Sequence, residues 1–94
     1  MTFPEQLTAV VARAVLSGER PPMYVAHTSD GDWWVSDGVT DPDDADAHVV
    51  SHMSHVVEQD PTVLLLAGLP VGQEATRASP GDEWDVGAFD WAPG

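Results

Sequence analysis

Lysine and cysteine are both missing from this chain of 94 residues. Without cysteine there are no disulfides, no thiolate metal ligands and no cysteine nucleophile, so stability has to come from packing. Without lysine, the fixed positive charges are Arg13, Arg20 and Arg77, set against sixteen aspartates and glutamates, and the formal charge is −13. So anionic a surface repels nucleic acid and acidic membranes and draws in cations or basic proteins. Long apolar runs are missing too. The longest, Val63-Leu64-Leu65-Leu66-Ala67, falls far short of the roughly 20 residues a membrane span needs. The opening Met1-Thr2-Phe3-Pro4-Glu5 carries neither a basic region nor an apolar run, so a cytoplasmic protein is expected. No G-x-S-x-G elbow, Walker loop or H-E-x-x-H sequence places a nucleophile or a base. The expectation is a protein that is not an enzyme, with no catalytic residues and no cofactor.

What is present is enough to fold. The chain is 43% hydrophobic, above the range of charged disordered polymers, and its length suits a single domain over residues 1–94. Thr2 and Glu5 form a capping box around Pro4, and Leu7, Val10, Val11 and Ala14 repeat at helical spacing with Val15 beside them. This predicts a helix over residues 4–17, stopped by Gly18 and Pro21-Pro22. Met23–Ser29 and Asp32–Asp37 then read as strands joined by Asp30-Gly31 in a two-residue type I′ turn. That turn sets Thr28 opposite Trp33 and His27 opposite Trp34, with the two tryptophans on opposite faces.

An acidic loop, Asp37 to Asp46, leads to a second expected helix running to about Gln59. Asp41 is its cap, Pro42 its first residue, and Asp43 and Asp44 suit its positive end. Val49, Val50, Met53, Val56 and Val57 form its apolar stripe. Asp60-Pro61 opens a third, short helix through Ala67. Gln73–Ala78 and Glu83–Gly87 read as strands around a Ser79-Pro80-Gly81-Asp82 turn, and Ala88–Gly94 forms a tail with Phe89 and Trp91. The expected architecture is α+β, a small antiparallel sheet of two hairpins with helices packed on one face, in the order α-ββ-α-α-ββ.

Three constellations invite a functional reading. On the expected second helix, His48, His52 and His55 fall within about 60° of arc, a spacing suited to two imidazoles on one metal. Their stripe lies roughly 140° from the apolar one, facing water, where a second shell of supporting groups is lacking. No metal site is assigned to them. The cluster Asp37, Asp41, Asp43, Asp44 and Asp46 lacks the ligand order of a calcium loop, and capping explains most of it. The four tryptophans, Trp33, Trp34, Trp84 and Trp91, are many for one small core. An indole left at the surface among carboxylates makes an anchor for an arginine-bearing partner. The candidate partner-binding residues are Trp33, Trp34, Asp32, Asp37 and Trp84.

The segment Asp30-Gly31-Asp32-Trp33-Trp34, the stretch before Asp60-Pro61, the run Leu64-Leu65-x-Ala67-x-Leu69-Pro70-x-Gly72-x-x-Ala75-x-Arg77 and the closing Ser79-Pro80-Gly81-Asp82-x-Trp84 together resemble a group of small bacterial domains. These are domains of unknown function, some associated with predicted immunity proteins of bacterial toxin systems. The resemblance covers residues 24–86, and its motifs are caps, turns and core leucines. It implies a protein that blocks a basic partner by presenting acidic and aromatic groups, charge supplying the association rate and buried aromatics the residence time. Two other readings stay open: a homodimeric structural or regulatory domain joined through the histidine-bearing helix or a sheet edge, and a histidine-based metal-binding protein. The acidity equally suits a salt-loving or GC-rich host.

Overall fold

The computed structural model describes residue 3, residues 6–41 and residues 43–88. Its strands are β1 (Thr8–Ala12), β2 (Tyr24–His27), β3 (Trp33–Ser36), β4 (His48–His52), β5 (Gln73–Thr76) and β6 (Asp85–Ala88). Two short α-helices, α1 (Arg13–Leu16) and α2 (Met53–Gln59), and 3-10 segments at Ala45–Ala47 and Pro61–Leu66 connect them. All six strands join one sheet in the order β4-β1-β3-β2-β5-β6. The β1–β3 pair is parallel and the others are antiparallel, so the sheet is mixed rather than purely antiparallel. No helix among the described residues is long and apolar enough to cross a membrane.

Two expected helices are replaced in part by strands. Thr8–Ala12, inside the expected helix 4–17, is β1, and only Arg13–Leu16 turns helical. His48–His52, inside the expected second helix, is β4, and only Met53–Gln59 is helical. Both segments, Thr-Ala-Val-Val-Ala and His-Val-Val-Ser-His, are rich in β-branched residues, which lose side-chain freedom in a helix and pack well on a pleated surface. They pair with each other over their full length, from Thr8 opposite His52 to Ala12 opposite His48. The two misreadings are thus the two halves of one antiparallel ladder. The capping box at Thr2 and Glu5, the positions of Pro4 and Pro42, and the tail residues Phe89 and Trp91 lie outside the described residues.

β2 pairs antiparallel with β3 and β5 with β6, joined by β2–β5 pairing, but within a six-stranded sheet that also holds β1 and β4 rather than as the expected sheet of two hairpins. The register of the first differs by one residue from the expected one: His27 lies opposite Trp33, Ala26 opposite Trp34 and Val25 opposite Val35. The reason is the turn. Thr28 C=O accepts the Gly31 N–H at 2.9 Å, Thr28 N–H donates to Asp32 C=O at 2.8 Å, and Gly31 has φ +88°. This is a three-residue loop, a type I turn closed by a left-handed glycine, rather than a two-residue I′ turn. The Thr28 hydroxyl oxygen accepts the Asp32 N–H at 3.1 Å and locks the same register.

Cross-strand partners share a face of the sheet, and the two faces differ in kind. Ala9, Val11, Val25, Trp33, Val35 and Ala75 form the inner face, packed with Val15 of α1, Met53 and Val56 of α2, Val63 and Leu66 of the 3-10 helix, and Leu69. The helical segments thus contribute side chains to the same core as this inner face. On the other face a single row of partners crosses every strand: Val50, Val10, Trp34, Ala26, Glu74 and Gly87.

Candidate functional site

The five candidate partner-binding residues do not form one site. Trp33 is 6% exposed. It points inward, with His27 stacked on it at 4.1 Å between ring centroids and Phe3 set edge-on at 5.1 Å. The His27 Nδ1–H donates to Leu69 C=O at 2.8 Å, tying the hairpin to the loop before β5. Trp33 is thus a core residue and is withdrawn as a surface anchor. The same holds for Asp37, which is 5% exposed. Its carboxylate accepts the N–H groups of Val39 and Thr40 at 2.9 and 2.7 Å and the Thr40 hydroxyl at 2.9 Å, with Arg20 at 3.6 Å. Burial pushes the Asp37 carboxyl up, but these hydrogen bonds and Arg20 outweigh it and hold it below the usual carboxylate range. Asp32 is exposed at the tip of the first hairpin.

Trp34 lies on the outer face, half-buried, with the His48 ring edge-on at 5.5 Å. Near it, Tyr24 hydrogen-bonds Glu74, and burial followed by that carboxylate pushes the phenol well above its ordinary value.

The histidines are not one stripe, because the helix they needed is absent. His48 and His52 sit on β4 and His55 on α2. His48 Nδ1–H donates to Asp44 C=O at 2.9 Å, while His52 and His55 meet edge-on at 5.8 Å and Ser51 Oγ lies 3.1 Å from His55 Nδ1. Among the described residues no group of three or more histidines and carboxylates is placed to hold a metal ion. The acidic loop is likewise a series of turns: Asp41 Oδ1 accepts the Asp43 N–H and Asp44 Oδ1 the Asp46 N–H, at 2.9 and 3.1 Å. Asp41 caps a turn and not the expected helix.

Trp84, half-buried like Trp34, differs from the other candidates in lining a groove together with apolar and acidic side chains. It is built on a buried guanidinium. Arg77 donates from Nε and Nη2 to Pro22 C=O at 3.1 and 2.7 Å, from Nη1 to Pro80 C=O and the Thr62 hydroxyl at 3.0 and 3.1 Å, and from Nη2 to Asp60 at 2.5 Å. The indole of Trp84 lies over this guanidinium at 4.2 Å to the ring centre, and its N–H donates to the Thr62 hydroxyl oxygen at 3.3 Å. Asp60 caps the 3-10 helix through the Thr62 N–H, as the Asp60-Pro61 pair predicts. Burial pushes its carboxyl up, but the hydrogen bonds from Thr62 and Arg77 and the charge of Arg77 more than reverse this.

On Trp84 opens a groove of about 420 Å³ lined by Thr62, Leu65, Leu66, Gly81, Asp82, Glu83, Trp84 and Val86. Leu65 is 79% exposed and Val86 51%, and Asp82, Glu83 and Asp85 face water around them. Leu65 and Val86 escaped the sequence reading. For Leu65 a signal was present in three consecutive leucines on one short helix, which cannot all turn inward. Compared with known proteins, the chain matches no family model, no curated protein and no solved structure.

Proposed function

We propose that this chain is a non-catalytic, acidic protein-binding domain that neutralises a basic protein partner in the manner of an immunity protein. The observation that carries the reading is the groove at Trp84: an indole, two exposed aliphatic side chains and a rim of carboxylates within one concave surface. An arginine side chain fits that chemistry. Its planar head stacks on or beside an indole, its stem covers Leu65 and Val86, and its charge is met by Asp82 and Glu83. The structural arginine already lying against Trp84 uses the same contact within the fold. Arg77 is buried against Asp60 and Arg20 is paired with Asp37, which leaves exposed Arg13 as the one arginine not paired with a carboxylate among the described residues, so carboxylates dominate the surface field. Such a field raises association rates with cationic partners, while a desolvated anchor slows dissociation.

The test is a titration with an arginine-rich peptide, followed by tryptophan fluorescence at several salt concentrations. Binding should weaken as salt rises, and Leu65→Lys and Glu83→Lys should each reduce affinity by about tenfold, the scale of one lost anchor. These positions are exposed, so the fold is retained. Peptide binding that both substitutions leave unchanged would reduce the effect to general counter-ion attraction and overturn the reading.

A further inference from the structure

We propose that β4 is a dimerisation strand, pairing antiparallel with β4 of a second copy about a two-fold axis through Val50. The hydrogen-bond phase of the ladder is the first argument. β4 ends at α2 with Met53 N–H donating to Leu7 C=O at 2.9 Å, in line with the β1–β4 pairing of Thr8 with His52. Successive amides along a strand point to opposite sides. Val49 and Ser51 therefore direct their N–H and C=O groups toward β1, and His48, Val50 and His52 direct theirs away. Among the described residues no strand lies on that side, since β4 is the edge of the sheet.

The second argument is that this edge has none of the usual protection. Edge strands are normally blunted by proline, by charge or by a bulge, and His-Val-Val-Ser-His has no proline, carboxylate, lysine or arginine and pairs without interruption. Val50, at its centre, is 71% exposed. The opposite edge, β6, carries Asp85 and Gly87.

The occupant follows from sequence symmetry and charge. His48-Val49-Val50-Ser51-His52 reads nearly the same in both directions. About a dyad at Val50 it sets His48 against the second copy's His52 and Val50 against Val50, and the outward groups of three residues per chain meet in about six hydrogen bonds. A basic protein has nothing to meet here, because residues 47–57 hold no carboxylate and β1 beside them holds none. For two chains of charge −13, an edge free of carboxylates is one where approach costs less repulsion than elsewhere among the acids. Pairing doubles the six-stranded sheet and carries the row Val50, Val10, Trp34 across the dyad. The contact lies at the opposite edge from the Trp84 groove and is independent of it.

Sedimentation velocity over a range of concentrations and salt tests the assignment. The expected mass rises from 10.0 kDa toward twice that with concentration, more readily at high salt, where like charges are screened. Val50→Pro removes only an outward N–H and suits an edge position, and Val50→Lys adds charge there. Each should weaken dimerisation by about tenfold or more, with tryptophan fluorescence unchanged as the check of folding. Leu65→Lys, in the groove, should leave the dimer intact. A monomer at all concentrations and salts, or a dimer indifferent to both Val50 variants, would overturn the proposal.

Discussion

Arg77 has five N–H donors and all of them reach oxygen within the fold; its side chain is fully buried while Asp60 keeps a small exposure. Removing one partner of such a pair leaves an uncompensated charge inside the protein, which costs about 3 kcal/mol. Asp60→Asn should lower the free energy of unfolding in urea by about that amount and weaken the seat of Trp84. The acid sensitivity of the pair has a definite sign. Asp37 and Asp60 both sit below their unfolded-state values, so the unfolded chain binds more protons. Their contribution is complete above the ordinary aspartate value of about 3.9 and is lost as pH falls through the lower folded values. Urea midpoints measured from neutral pH down to pH 3 should fall less steeply at the acid end for Asp60→Asn than for the parent chain. The cap at Asp60 was legible in the sequence because it is local. Its use by Arg77, a residue 17 positions away, was not, since nothing in local spacing encodes a contact made by the return of the chain.

At the scale of elements, what was legible depended on how much structure is decided within a few residues. Asp60-Pro61, the turn at Ser79–Asp82 and the strands on either side were readable because caps and turns carry their own chemistry. Thr8–Ala12 and His48–His52 were not, because apolar residues at i, i+3 and i+4 fit either a helix stripe or a short buried strand, and pairing between segments 40 residues apart decides the matter. The first hairpin shows the finer version of the same limit. Asp30-Gly31 marks the turn, but loop length set the register. Because Gly31 has φ +88° with nothing within 4 Å of an added Cβ, Gly31→Ala should cost about 1 kcal/mol through backbone conformation alone, readable in the thermal midpoint. The β4 phase makes a separate prediction. In dilute protein, the amides of Val49 and Ser51 should exchange with deuterium slowly and those of His48, Val50 and His52 quickly. A protection pattern without that alternation would contradict the edge geometry derived from the Met53–Leu7 bond.

For the whole molecule the governing quantity is charge that finds no partner. Arg20 and Arg77 are paired with Asp37 and Asp60, while Glu19, Asp30, Asp41, Asp43, Glu58 and Asp82 face solvent on several elements. At about 0.01 M salt the screening length is about 30 Å, comparable with the 34 × 31 × 28 Å extents of the fold, so every carboxylate feels every other. At about 0.15 M it drops to about 8 Å, and only neighbours interact. The unfolded chain spreads its charge over a larger volume, so screening favours the folded state more. Unfolding free energy in urea should therefore rise by on the order of 1 kcal/mol between these salt concentrations. Replacing Glu19, Glu58 and Asp85 together with their amides should flatten the rise. The same screening acts with opposite sign on the two surfaces: it weakens capture of a cationic side chain at Trp84 and strengthens β4 pairing between like-charged copies. A salt series read once by peptide titration and once by sedimentation should give slopes of opposite sign, and slopes of the same sign would mean that at least one surface has been assigned the wrong partner.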